Sequence, residues 1–160
     1  MDNFYEQFLT KDYGKLQKKF ETTRNTLVVL AMIAAVIVGL FGVIAFIVGY
    51  IILGLIARAM FLEYEYELTE NELVITKIMN KKKRKIITTL DIKNIVNVKG
   101  VEEANQNGVK LVKACVDDSG LREQIIFVQK NSQLIGFKVA MDKKLISMCK
   151  RINPLNFSGI

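Results

Sequence analysis

From residue 27 to residue 57 the chain carries no charged, Asn, Gln, Ser, Thr or Pro side chain, 31 consecutive positions in a protein of 160 residues. About 20 apolar residues cross the hydrocarbon core of a bilayer, and a helix apolar on every face has no side left for water. The run therefore predicts membrane-spanning helix. As a single span it would be about 46 Å long against a core of about 30 Å, so it would tilt strongly. The alternative is a hairpin over residues 25–62 with its turn near residues 39–44, at Gly39-Leu40-Phe41-Gly42. Its two arms of about 17 residues each reach about 26 Å. Asn25 or Thr23 then caps the first arm.

Beyond residue 62 the period changes from helix to strand. In Glu63-Tyr64-Glu65-Tyr66-Glu67-Leu68 acids and apolar residues alternate strictly, which predicts a half-buried strand. The turn Thr69-Glu70-Asn71-Glu72 leads into a strand over residues 73–78, and Asn80-Lys81-Lys82 into one over residues 84–90, so these three predict a meander. Residues 91–98 read as a helical turn entering a fourth strand, and residues 99–108 as a polar loop. Three more strands follow, at residues 109–116, 121–129 and 134–140, making seven. Over residues 142–153 the apolar positions Leu145, Ile146, Met148, Cys149 and Ile152 recur at helical spacing. Asp142 is the N-cap there, and Asn153-Pro154, with the only proline in the chain, ends the helix.

Ahead of the apolar run, residues 1–24 read as an amphipathic segment. Phe4, Tyr5, Phe8, Leu9, Tyr13, Leu16 and Phe20 occupy one half of a helix, with Lys11, Lys15, Lys18 and Lys19 on the other half and its border. Such a face suits either the lipid headgroup zone or packing on the following domain. Gly14 interrupts it.

The net charge of +7 sharpens the topology. Lys15, Lys18, Lys19 and Arg24 precede the run; Arg58 follows it, in a region with 18 basic and 12 acidic residues. Basic flanks on both sides favour two spans with both termini cytoplasmic, hence a multi-pass protein of the cell membrane. With no histidine, the chain holds no imidazole base or ligand. Cys115 and Cys149 are too few and too far apart for a metal cluster and read as small buried hydrophobes of a reducing compartment. Asp117-Asp118-Ser119-Gly120 is explained by turn chemistry. Neither a phosphate loop nor a nucleophile motif is present, so no catalytic, cofactor or metal residues are assigned and no enzyme activity is expected.

Seven antiparallel strands closed at one end by a C-terminal helix is the pleckstrin-homology arrangement. A hairpin leading into Tyr64-Glu65-Tyr66-Glu67-Leu68-Thr69-Glu70-Asn71-Glu72-Leu73-Val74-Ile75, then a basic turn, then Leu90-Asp91-Ile92-Lys93-Asn94-Ile95, resembles bacterial PH-domain-like membrane proteins. It also resembles a family of small membrane proteins from low-GC Gram-positive bacteria. The resemblance implies a membrane α-helical hairpin plus a mostly-β PH-like domain over residues 63–160, a seven-stranded antiparallel roll or barrel on the cytoplasmic face. It implies no enzyme activity.

The strongest local feature is Lys81-Lys82-Lys83-Arg84-Lys85, five cations in succession. Near a bilayer each is drawn to anionic headgroups by about 1 kcal/mol, which makes the cluster a candidate lipid contact, with Lys15, Lys18, Lys19, Arg24 and Arg58 as interfacial residues. The competing reading is a solvated hairpin tip, paired across the sheet with Glu63, Glu65 or Glu67. Lipid-binding PH domains usually carry their cations on the first turn. Here that turn is acidic, with Glu70 and Glu72, so the family's lipid site does not transfer residue by residue. Nucleic acid is not an expected partner, because the cluster holds no aromatic. The expectation is a non-catalytic membrane protein whose PH-like domain adapts a protein partner or anionic lipid to the inner face, with homo-oligomerisation through the hairpin also open. The alternative is a small accessory subunit of a transport or envelope assembly that works through its spans.

Overall fold

A computed structural model describes residues 4–104, 108–117 and 119–157. The chain divides into two units, one of residues 1–11 together with 62–160, the other of residues 12–61.

The β unit begins earlier than the sequence pattern suggests. Phe4–Leu9 is a strand, β1, and not the first half of an amphipathic helix. It pairs antiparallel with β2 (Leu62–Thr69), Leu9 opposite Tyr64 and Tyr5 opposite Leu68. The period explains the correction: Gln7 and Leu9 are buried and Tyr5 partly so, whereas Phe4, Glu6 and Phe8 point outward, a period of two that a helical wheel overlooks. Gly14 belongs to neither half of that wheel, because it opens the next helix and donates its N–H to Asp12 Oδ1.

β2 continues into β3 (Glu72–Met79) and β4 (Lys83–Asp91) as the expected meander, giving a sheet in the order β1-β2-β3-β4. A 3-10 turn, Ile92–Asn94, leads to β5 (Ile95–Gly100). β6 (Lys110–Lys113), β7 (Gln124–Lys130) and β8 (Gln133–Val139) complete a second sheet in the order β5-β7-β8-β6. All seven expected strands are present, some shorter than read, and β1 is an eighth. They do not close into one seven-stranded antiparallel barrel: two four-stranded sheets face each other, and β6 lies parallel to β8. β6 departs from the antiparallel expectation, its Leu111 and Lys113 aligning with Gly136 and Lys138 in a pairing no local pattern encodes.

The sheets enclose Tyr66, Leu68, Ile75, Val98, Ile126 and Val139, each fully buried. α3 (Lys143–Ile152) closes one end, with Leu145 and Cys149 inward; as expected, Asp142 caps it by accepting the Leu145 N–H at 2.7 Å. Past its end, Asn153 donates to the Ile92 carbonyl at 2.9 Å, tying the helix to the 3-10 turn.

The other unit is a helical hairpin. α1 (Gly14–Val38) and α2 (Leu40–Met60) are both long and apolar enough to cross a membrane. One residue joins them: Gly39, inside the expected turn, at φ +66°, where only glycine is unstrained. A Cβ on Gly42 would stand 2.7 Å from the Ala34 carbonyl oxygen, so the helices touch there backbone to backbone. At the open end Phe61 meets Tyr13 and Phe20 edge to face, with ring centroids 5.4 and 5.5 Å apart. α1 starts eleven positions before residue 25, so Thr23 and Asn25 are no caps. Thr22 and Thr23 instead bond back to the carbonyls of Lys18 and Lys19 inside the helix.

Candidate functional site

The register of the first sheet arranges its two ends differently. Leu9 pairs with Tyr64, Leu62 with Met79, and Met79 with Lys83. One end of the sheet therefore carries both connections to the helical hairpin and also the β3–β4 turn. The opposite end carries the turn with Glu70 and Glu72, beside Asp91. Neighbouring strands are about 4.8 Å apart, so the β3–β4 turn lies within two strand spacings of the chain's entry at Leu62.

That turn is built by Asn80 and Lys81, at φ +50° and +55°, with the Lys82 N–H donating to the Met79 carbonyl at 3.2 Å. Asn tolerates this conformation well, and the tight reversal crowds cations at one spot. Lys81, Lys82, Lys83, Arg84 and Lys85 are all exposed. They are not equivalent. Arg84 lies on the outer face, where its Nη1 is 2.9 Å from Glu65 Oε2 and 3.3 Å from Oε1. The shorter approach is ionic and lacks hydrogen-bond alignment. Lys85 pairs with Lys77 on β3, adding a cation that sequence reading left out. A period-2 count across the turn would have found it.

Glu65, opposite Phe8 on β1, is only 5% exposed. Burial, then a hydrogen bond with Glu6, push its carboxyl above the usual range, and the Arg84 charge only partly opposes them. The cross-strand pairing that competes with lipid contact is thus present at Arg84.

A second polar network fixes β1 to the far side of the fold. Tyr66 Oη, buried, donates to the Ala114 carbonyl at 2.6 Å and accepts the Ala140 N–H at 3.1 Å. Gln7 donates to the Ala140 carbonyl and accepts the Asp142 N–H, both at 3.0 Å. Tyr5 Oη donates to Asp142 Oδ2 at 2.5 Å, and that bond raises the Tyr5 pKa. Lys144 sits 4.4 Å over the Tyr5 ring. Through these contacts β1, the segment before the helical hairpin, is part of the domain that follows it.

The remaining candidates are quickly placed. Lys15, Lys18, Lys19 and Arg24 are exposed on the first half of α1 and Arg58 on the last turn of α2. Cys115 and Cys149 are buried, and desolvation pushes their thiols up to about 11 and about 12. Asp117 binds Lys113 Nζ through both oxygens at 2.6 Å, and Asp118 lies outside the described residues. Among the described residues no group of three or more acidic or Cys side chains is placed to hold a metal ion.

With β1 in place, the first connection between strands is the helical hairpin itself and not the Glu70–Glu72 turn. The comparison of that acidic turn with the first turn of lipid-binding PH domains is thereby corrected. A family model described as a bacterial PH-like domain (DUF6106) matches residues 1–158. No curated protein and no solved structure matches the chain.

Proposed function

Since the chain belongs to this bacterial PH-like domain family, we propose that it is a non-catalytic, membrane-anchored adaptor whose PH-like domain sits on the cytoplasmic face. α1 and α2 form the anchor. The basic β3–β4 turn meets anionic headgroups there, and the remaining surface is left to a protein partner.

One observation carries this reading. Leu9 and Tyr64 are paired neighbours in a single sheet, so the two ends of the 12–61 segment leave the domain side by side. A segment whose ends meet on one side enters and leaves a bilayer by the same face, which argues for the hairpin over one long tilted span. The basic flanks Lys15, Lys18, Lys19, Arg24 and Arg58 favour the cytoplasm for that face. The β3–β4 turn shares the sheet end from which the connections emerge, so a bilayer that receives the hairpin is also the nearest large surface to Lys82 and Lys83. Anionic lipid there attracts each nearby cation by about 1 kcal/mol.

The test places a photocrosslinking side chain at Lys82 of the full chain in native membranes. A dominant adduct with an acidic phospholipid supports the lipid contact. A discrete protein adduct makes this turn the partner site instead, and adducts with neither would refute a role for the turn.

A further inference from the structure

The two arms of the helical hairpin are unequally apolar. Counting from Gly39, the first charged side chain back along α1 is Arg24 and the first forward along α2 is Arg58. At 1.5 Å per residue these stand about 22 Å and about 28 Å from the turn, against a hydrocarbon core of about 30 Å. Tilt shortens both reaches further.

The apex carries nothing that belongs in water. Val36, Ile37, Leu40 and Phe41 are 87%, 77%, 74% and 78% exposed, more than any other large apolar side chain described in the two helices. Crossing hairpins are held at the far headgroups by charged, amide or interfacial aromatic residues, and residues 27–49 contain none with a polar atom in its side chain. The turn itself is short. The Gly39 N–H donates to the Ala35 carbonyl at 3.1 Å, and the Gly39 carbonyl accepts from the N–H groups of Gly42 at 3.1 Å and Val43 at 3.4 Å. Gly39 thus leaves neither of its own backbone groups open, and the groups that remain at the turn are those of the two helix ends.

We infer that the hairpin penetrates the bilayer without emerging from it: the apex, residues 36–41, ends among the acyl chains of the far leaflet. The partner of this surface is hydrocarbon, and the protein presents no loop to the far aqueous side. The inference rests on the membrane reading above and adds the depth. Its physical basis is the shortness of the α1 arm together with an apex that would expose four large apolar side chains if it surfaced.

The experiment uses the full chain in cells and in inverted vesicles, with a membrane-impermeant maleimide. Phe41→Cys and Lys82→Cys replace exposed residues, and the native thiols at Cys115 and Cys149 are buried. Lys82→Cys should react from one side only, and Phe41→Cys from neither, at least about tenfold more slowly until detergent is added. Phe41→Trp supplies a second readout as the only tryptophan of the chain. Lipids brominated along the acyl chain should quench its emission and aqueous iodide should not. Reaction of Phe41→Cys from the side opposite to Lys82→Cys, or quenching by iodide, overturns the submerged apex while leaving the membrane anchor intact. Release of the wild-type chain from membranes by an alkaline wash overturns the anchor and the depth together.

Discussion

Replacing the helical hairpin by a two-residue turn should leave a soluble domain that still binds anionic membranes through its basic turn. The register gives the design: Leu9 faces Tyr64, so continuing the ladder sets Thr10 against Glu63, where the side chains already bond at 3.0 Å, and Lys11 against Leu62. Joining Lys11 to Leu62 through Asn-Gly then makes a two-residue hairpin of the type that Asn-Gly favours. The network of Tyr5, Gln7 and Asp142 keeps β1 docked without the helices. Binding strength follows from the cations. Arg84 is engaged with Glu65, and Lys81 already makes an interaction within the chain, which leaves Lys82, Lys83 and Lys85 to count in full. Three charges at about 1 kcal/mol each amount to about 3 kcal/mol, or roughly a 150-fold difference in partitioning between acidic and neutral vesicles at low salt. Sedimentation with vesicles of graded phosphatidylglycerol content measures it. Changing the three lysines to Gln should abolish the difference, Arg84→Gln should weaken it far less, and raising salt from 0.05 to about 0.5 M should erode it as the screening length shrinks. Binding that survives the triple substitution, or that falls as much with Arg84→Gln, refutes the assignment of this turn.

Other substitutions test the frame that holds the turn. Tyr66→Phe leaves the Ala114 carbonyl and the Ala140 N–H without the hydroxyl that bridges them, so thermal unfolding should show a loss of about 1–3 kcal/mol; a loss within experimental error would mean that water replaces it at no cost. Glu65→Gln tests linkage. The folded carboxyl titrates above its unfolded value, so wild-type stability is greatest below the unfolded pKa and falls as pH rises through the folded one. The variant should therefore gain stability relative to wild type at pH 7 and not at pH 4, and a variant less stable at pH 7 shows that the Arg84 ion pair outweighs burial. Gly42→Val forces a side chain against the Ala34 backbone and should cost about 1–3 kcal/mol of hairpin packing. Disulfide trapping between Leu27→Cys and Gly49→Cys, positions where a Cβ on residue 49 would stand 3.8 Å from Leu27 Cδ2, should drop, and unchanged trapping would contradict the close contact.

The features legible in the sequence were those fixed by local period. The alternation of Glu63 to Leu68 gave β2, the spacing of Leu145, Cys149 and Ile152 gave α3, and the glycines at 39 and 42 gave the turn, because each follows from which face meets water or lipid. β1 was misread because Phe4, Tyr5, Phe8 and Leu9 satisfy a helical wheel as well as a strand. Only its pairing with β2, 53 residues later, decides between them. The basic turn was legible as five cations in a row, whereas the withdrawal of Arg84 to Glu65 and the addition of Lys77 depend on cross-strand register.

By itself, then, the sequence determined that this chain has a long apolar run, a strand-rich domain and a concentrated positive charge, since hydrophobicity and charge are properties of residues. The tertiary structure decided how these parts are connected. Hydrogen bonding between β1 and β2 makes the helical hairpin an insertion between two paired strands, and the strand ends that lead into it share one end of the sheet with the basic turn. That arrangement rests on contacts between residues far apart in the chain, which no local pattern records.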